Sequence, residues 1–336
     1  MKRFLIFCLN LCWNWLSFSK RALYHSGLLS VTRLSEPCIS IGNLAAGGTG
    51  KSPLVEIVIH ILVERGHFPA ILTRGYRSGV GKSSIAVFQA GKISHKKNLP
   101  HEIYPDEAVM LSTKLGHVPV VVSPNRIAAA IWYQSQAIQP ITHWVLDDGF
   151  QHVQMYRDVD IVLIDSHSMR EKGALYRESW EALRYADLVI WTRCEEGAPS
   201  EEEAIRLNTY TTQPSIQSVF HMQSPCLLGD AAQQLCPTEK ILVFCGIANP
   251  SYFISGLEKM GFFSKEIYIV SDHQRVSFED IRSRIHDAKA LVTTEKDYYR
   301  DPAIFENFPI PVYLVPLEVE LDREKLVAVL ISRMSV

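Results

Sequence analysis

The stretch Cys38-Ile39-Ser40-Ile41-Gly42-Asn43-Leu44-Ala45-Ala46-Gly47-Gly48-Thr49-Gly50-Lys51-Ser52-Pro53 decides the fold. Residues 38–42 are a short apolar run, a glycine-rich loop follows, and Leu54, Val55, Ile57, Val58, Ile61 and Leu62 then recur at helical spacing. Strand, glycine loop, Gly50-Lys51-Ser52 and helix in that order build a phosphate site. The glycines let backbone N–H groups converge on an anion, the helix N-terminus adds a favourable dipole, and Lys51 adds a full positive charge. On this reading Ala45, Ala46, Gly47, Gly48, Thr49, Gly50, Lys51 and Ser52 surround the phosphates of a nucleotide. Lys51 reaches the β- and γ-phosphates, and the Ser52 hydroxyl ligates Mg²⁺. The usual pattern opens on glycine where this chain has Ala45, so the dense match is residues 47–52. A bare glycine turn is the competing reading, and the order of the flanking elements speaks against it. A second Gly-Lys-Ser at Gly81-Lys82-Ser83 has no apolar strand leading in and a β-like segment (Ile85, Val87, Phe88) leading out, so it reads as a hairpin or loop.

The partner element is His143-Trp144-Val145-Leu146-Asp147-Asp148-Gly149-Phe150-Gln151-His152. An apolar strand ending in carboxylates delivers acids to the carboxyl edge of a sheet, where a phosphate loop also lies. Asp147 and Asp148 are therefore the expected Mg²⁺ ligands beside Ser52. In isolation the same residues would be an Asp-Asp-Gly turn.

Strand-like runs recur at 38–42, 68–73, 118–122, 143–147, 160–164 and 187–191, with helical patterns at 53–65, 106–115 and 125–138 between them. This alternation predicts an α/β fold, a phosphate-loop NTPase-like parallel sheet flanked by helices. A second series follows: strands at 240–245, 266–270, 290–294 and 311–315, helices near 250–260 and 277–287, and a last helix from Asp322. It predicts a second, smaller α/β lobe. The expected organisation is an N-terminal membrane-associated helical segment 1–30, a kinase domain 31–222 and a C-terminal lobe 223–336.

The chain has 336 residues and a formal net charge of −2, which gives no general attraction to nucleic acid. Its seven cysteines form no C-x-x-C pair and read as free thiols in a reducing compartment. The N-terminus is the exception to a globular composition. Phe4 to Phe18 is apolar but broken by Asn10, Asn14 and Ser17, which is short for a span of ~20 apolar residues. No small-residue cleavage site follows it. A helix lying in the membrane interface fits best, with Trp13 and Trp15 at headgroup depth and Lys20 and Arg21 among the cations that meet anionic lipid. A plain packing helix is the other reading.

Together these residues resemble the tetraacyldisaccharide 4′-kinase family, the lipid A 4′-kinases of Gram-negative bacteria. The resemblance is carried in order by Ile41-Gly42-Asn43-Leu44 and the loop, Thr73-Arg74-Gly75-Tyr76, Asp106-Glu107, Asn125-Arg126 and residues 146–152. It continues through Arg157-Asp158-Val159-Asp160, Arg177-Glu178, Asp272-His273-Gln274 and Thr294-Glu295-Lys296-Asp297. Asp147-Asp148-Gly149-Phe150-Gln151-His152 is its most specific part. The resemblance implies transfer of the ATP γ-phosphate to the 4′-hydroxyl of a tetraacyldisaccharide 1-phosphate, giving lipid IVA. It implies work at the cytoplasmic face of the inner membrane, on a lipid disaccharide substrate. It points to Asp106 as the base, supported by His273, and to Arg74, Asn125, Arg126 and Arg177 as groups for the anionic acceptor. Asp106 also fits a helix start, where acids complement the dipole, and His273 also fits a loop or cap. Glu178, Gln151 and His152 have no fixed role on this reading, and the oligomeric state is open.

The rival is a membrane-associated switch ATPase of the partitioning type. Those proteins place a lysine just before the paired glycines, and this chain has Ala46 there.

Overall fold

The computed structural model describes residues 17–45, 50–75, 79–99, 105–136, 139–166, 177–272, 274 and 276–334. Ala46, Gly47, Gly48, Thr49 and His273 lie outside the described residues, as does the apolar segment up to residue 16 with Trp13 and Trp15.

The strands in chain order are β1 (Cys38–Asn43), β2 (Pro69–Thr73), β3 (Ile85–Gln89), β4 (Lys92–Lys97), β5 (Val120–Val122), β6 (His143–Asp147), β7 (Val159–Asp165), β8 (Leu188–Thr192), β9 (Ser215–Met222), β10 (Cys226–Leu227), β11 (Asp230–Gln234), β12 (Ile241–Cys245), β13 (Glu266–Ile269), β14 (Ala290–Thr294), β15 (Val312–Val315) and β16 (Leu317–Leu321). Helices are α1 (Lys51–Glu64), α2 (Asp106–Leu115), α3 (Arg126–Ser135), α4 (Glu201–Tyr210), α5 (Pro250–Lys259), α6 (Phe278–Arg282), α7 (Glu295–Arg300), α8 (Pro302–Glu306) and α9 (Arg323–Arg333). Residues 17–25 form a further helical stretch ahead of β1.

Two compact units emerge, Met1–Phe220 with Val319–Val336, and His221–Glu318. The first holds a large sheet in the order β16-β9-β8-β7-β1-β6-β2-β5-β3-β4. From β9 to β5 neighbouring strands run parallel. β3 and β4 close that edge as an antiparallel hairpin. The central strands β1, β2, β6 and β7 are buried along their whole length, as a parallel strand covered on both faces must be. This is why they read as continuous apolar runs rather than alternating ones. The edge strand β4, with Lys92, His95, Lys96 and Lys97, is exposed throughout, and such charge discourages pairing with another chain. The second unit carries its own sheet, β11-β10-β15-β14-β12-β13.

The sequence reading ran the second lobe through to residue 336, whereas the chain returns to the first unit at Val319. The amphipathic helix α9 explains the return. It buries Leu326, Val329 and Leu330, and it reaches Glu64 through Arg323, the Ser215 carbonyl through Lys325 and Asp187 through Arg333. The helix expected over 277–287 stops at Arg282. Its start is fixed by a capping box between Ser277 and Asp280, while His286 takes a positive φ of 42° that no helix continues through.

Candidate active site

The carboxyl ends of β1, β2 and β6 meet at one edge of the sheet, where open α/β sheets bind ligands. α1 starts there, directly after the glycine loop. Its N-cap, Gly50, sits at φ 82°, and no side chain caps the helix. Its first turn carries no acid. Pro53 has no N–H, so the N–H groups of Lys51 and Ser52 are the donors this helix start can offer an anion. A Cβ on Gly50 would collide with the Phe220 ring, besides forcing a side chain into the left-handed region. Gly50→Ala is therefore expected to raise the KM for ATP about tenfold and lower the melting temperature by a few degrees, through strain of about 1–2 kcal/mol. Nucleotide titration and thermal unfolding measure the two effects.

β6 brings Asp147 to the edge, buried at 3% exposure. Its carboxylate accepts from Thr73 Oγ1, at the end of β2, at 3.3 Å. Burial raises the Asp147 pKa first, the charges of Glu107 and Asp148 raise it further, and Lys51 and Thr73 oppose them. The result is an acid pushed up to about 7. Asp148 adopts φ 54°, which breaks the strand alternation and turns the next carboxylate along the same edge. Arg177 Nη1 donates to both of its oxygens at 2.7 and 2.5 Å, and Lys51 Nζ stands 3.6 Å away. Burial works against ionisation of Asp148, but Lys51, Arg177 and Arg126 outweigh it and hold its pKa below the usual value. The adjacent acids thus have opposite characters: Asp148 is a satisfied anion, and Asp147 is costly to ionise alone.

That cost is the feature a bound cation would remove. Asp147 and the Ser52 hydroxyl are hard oxygen donors suited to Mg²⁺. Among the described residues no group of three or more His, Cys, Asp or Glu gathers into a cage.

The turn itself is braced from several sides. Arg126, at the start of α3 and only 6% exposed, donates from Nη1 to the Asp147 and Asp148 carbonyls at 3.2 and 3.1 Å. Burial lowers its pKa to about 10. Gly149 packs so closely that a Cβ there would lie 2.7 Å from both Leu146 Cβ and Ser40 Oγ. Gln151 Nε2 donates to the Asn43 carbonyl at 2.8 Å, tying the turn to the end of β1. His152 is kept neutral, its pKa driven down to about 3 by burial and then by the charges of Arg126, Arg157, Lys20 and Arg74.

Of the residues expected at the acceptor, Arg74 is exposed just after β2, and its charge acts on Arg126 and His152. Asn125 is the N-cap of α3, its Oδ1 accepting from the Ala128 N–H at 3.2 Å. Asp106 opens α2, half-buried, beside the Glu107 whose charge reaches Asp147. Ala45 lies buried just past β1.

Three contributors escaped the sequence reading. Thr73 was noticed only as part of a motif. Glu107 was noticed only as a neighbour of Asp106. Arg21, expected to face lipid, is instead 1% exposed and ion-paired with Glu178 at 2.5 Å. The only hint in the sequence was its position one helical turn after Ser17, which is itself partly buried.

A sheet edge that gathers a lysine, a cation-seeking acid and several arginines defines a class of protein, an α/β phosphotransferase. Comparison with known proteins narrows it. A family model described as tetraacyldisaccharide-1-P 4′-kinase, LpxK, matches residues 2–335. A curated tetraacyldisaccharide 4′-kinase from Desulfotalea psychrophila is 32% identical over 305 residues, covering 86% of this chain and 85% of the relative. One from Geobacter metallireducens is 31% identical over 316 residues, covering 90% and 89%. The crystal structure of an LpxK from Aquifex aeolicus, in complex with ATP, has a TM-score of 0.75 at 24% identity and covers 99% of both chains, so the fold is shared. The chain belongs to the tetraacyldisaccharide 4′-kinase family and is a lipid kinase.

Proposed function

We propose that this enzyme transfers the γ-phosphate of ATP to the 4′-hydroxyl of a tetraacyldisaccharide 1-phosphate, at the cytoplasmic face of the inner membrane. The observation that carries the site assignment is the buried Asp147 beside the Lys51–Asp148–Arg177 cluster. Family membership supplies the acceptor, and ATP stands in the Aquifex aeolicus relative.

In this mechanism the N–H groups of Lys51 and Ser52, with loop residues 45–50, bind the phosphates, and the Lys51 ammonium offsets the charge that gathers on the transferred group. Ser52 and Asp147 would hold Mg²⁺, with Asp148 behind them, and the ion would neutralise phosphate oxygens. Arg74 and Arg177 attract the anionic acceptor, and Arg126 holds the Asp147–Asp148 turn rigid. The acceptor hydroxyl loses its proton to the Asp106 carboxylate as its oxygen attacks phosphorus, and the family resemblance assigns His273 a supporting role. The bond to the β-phosphate bridging oxygen breaks, and ADP leaves.

No described helix is long and apolar enough to cross a membrane. Phe18, Leu23, Leu28, Leu29 and Val31 are exposed on and just after helix 17–25, and Lys20 projects among them. An apolar surface with a cation suits the interface where the lipid acceptor lies. The N-terminal segment is the membrane-associated element, the unit that holds the large sheet is the catalytic domain, and His221–Glu318 is the smaller lobe.

The test is phosphorylation of the tetraacyldisaccharide 1-phosphate in mixed micelles with Mg-ATP. Labelled lipid is the expected product. ATP hydrolysis at full rate without lipid, and no labelled lipid, would replace this reading with a switch ATPase. Asp106→Asn is expected to lower kcat about 10²–10⁴-fold while leaving the KM for ATP within a few-fold, as loss of a base does. An unchanged kcat removes Asp106 from the mechanism.

A further inference from the structure

Arg21 is among the largest fully buried side chains of the molecule, although it lies on helix 17–25, whose neighbouring positions Phe18, Lys20 and Leu23 are exposed. Its Nη2 donates to Glu178 Oε2 at 2.5 Å and to the Phe150 carbonyl at 2.9 Å, and its Nε donates to Glu178 Oε1 at 3.3 Å. The guanidinium carbon stands 4.2 Å from the Phe150 ring centroid and 5.3 Å from that of Tyr185. Ser17, one turn earlier, donates to the Arg177 carbonyl at 3.4 Å. Every one of these contacts except Tyr185 falls on two short segments. One is the turn that follows Asp148; the other is Arg177-Glu178, whose N–H groups donate to the Leu44 carbonyl at 2.6 and 3.3 Å, just before the phosphate loop.

We propose that Arg21 is a positioning residue, a clamp that fastens the 148–150 turn to residues 177–178 and so holds the Arg177–Asp148 pair in place. Seating of the N-terminal helix then becomes a condition for active-site geometry.

The physical case rests on cost. A fully buried arginine that served only to fill space would be replaced by an apolar side chain without penalty, because taking both charges from water costs several kcal/mol before their attraction returns any. Here the planar fork spans two segments far apart in sequence, which a Lys point charge or an apolar side chain cannot do. Asp148 sits at a positive φ of 54° and a Cβ on Gly149 would lie 2.7 Å from Leu146 Cβ and Ser40 Oγ, so the turn is packed tightly and tolerates little displacement. Movement of a supporting segment by about 1 Å is enough to cost on the order of 10²-fold in rate.

The inference rests on the assignment of Arg177 and Asp148 to the active site, and the test separates the two. Full-length Arg21→Met, Arg21→Lys, Arg177→Ala and the double variant Arg21→Met/Arg177→Ala are assayed in mixed micelles with Mg-ATP, well below their melting temperatures. Binding to vesicles of phosphatidylethanolamine and phosphatidylglycerol is measured by sedimentation. Arg21→Met is expected to lower kcat about 10–100-fold with vesicle binding unchanged within twofold, and Arg21→Lys to recover part of the loss. In the Arg177→Ala background, Arg21→Met should remove less than about twofold more, because both changes release the same constraint. A melting temperature that falls while kcat stays within twofold overturns the proposal, as do effects that multiply independently. Lost vesicle binding with kcat intact returns Arg21 to the lipid surface and also overturns it. If Arg21→Met does not fold, Arg21→Lys decides alone, with an expected loss of about three- to tenfold and an unchanged kcat as the overturning result. An inactive Arg177→Ala enzyme beside a fully active Arg21→Met enzyme refutes the clamp alone. An Arg177→Ala enzyme of normal kcat refutes the site assignment and the clamp with it.

Discussion

Asp147→Asn is expected to abolish lipid phosphorylation and, at alkaline pH without divalent cations, to make the protein harder to unfold. Both effects come from the same burial. The carboxyl is held near pKa 7 in the folded protein against an ordinary value of 3.8, with burial the main cause and Glu107 and Asp148 next. Between those two values the native state carries a proton that the unfolded chain has released. The stability contributed at this position therefore falls as pH rises through that window, and the loss is complete above about 7. The full linkage amounts to on the order of 4 kcal/mol, of which relaxation of the site recovers a share. Asparagine keeps the shape and a carbonyl oxygen for Thr73 but never ionises. Scanning calorimetry should show the variant melting a few degrees above wild type at pH 8, with the gap closing towards pH 5. Added Mg²⁺ should raise the wild-type melting temperature and leave the variant's unmoved, because the neutral amide is a weak ligand. The kcat loss should reach at least about 10³-fold, the scale of removing an electrostatic group from a phosphoryl-transfer site. A variant less stable than wild type at pH 8 would show that Asp147 is a satisfied structural acid, and the cation reading would go with it.

Such an acid is legible from sequence, and its surroundings are not. An apolar run ending in Asp147-Asp148-Gly149 announces a strand end at a sheet edge, and β6 begins and ends where that run does. α2 likewise spans the residues that its periodicity marks, from Asp106 to Leu115. These are local signals, set by burial on both faces of a strand or on one face of a helix. Arg21 is a different case. Beside an apolar segment a lone arginine reads as a lipid-facing cation. Its real environment is assembled from Phe150 and Glu178, 129 and 157 residues away. Glu107 looks like an ordinary acid at a helix start until the fold brings it within electrostatic reach of Asp147. The return of α9 to the first unit is equally invisible, since nothing in an amphipathic helix names the surface it will cover. Side-chain chemistry was readable where one segment supplies it, and unreadable where distant segments meet.

Lys51→Ala carries the other large effect, and its two readouts should diverge. Lys51 opens α1 beside a helix start with no side-chain cap, its Nζ is 3.6 Å from Asp148 Oδ1, and its charge lowers the pKa of both Asp147 and Asp148. On the proposed mechanism it is the ammonium that meets phosphate, and alanine removes it without disturbing the apolar face of the helix. The kcat should fall at least about 10³-fold and the KM for ATP rise about tenfold. Thermal stability should stay within about 1–2 °C, because an ion pair this long and partly solvated contributes little, and Arg177 still holds Asp148. With the lysine gone, the repulsion that Glu107 and Asp148 exert on Asp147 is no longer offset, so the residual activity should titrate at higher pH than the wild-type enzyme. Lys51→Arg should not restore the rate, since a planar fork cannot replace a compact ammonium at the mouth of a glycine loop. A Lys51→Ala enzyme with kcat within tenfold of wild type would mean that residues 45–52 do not bind the transferred phosphate, and the carboxylates at the end of β6 would need another partner.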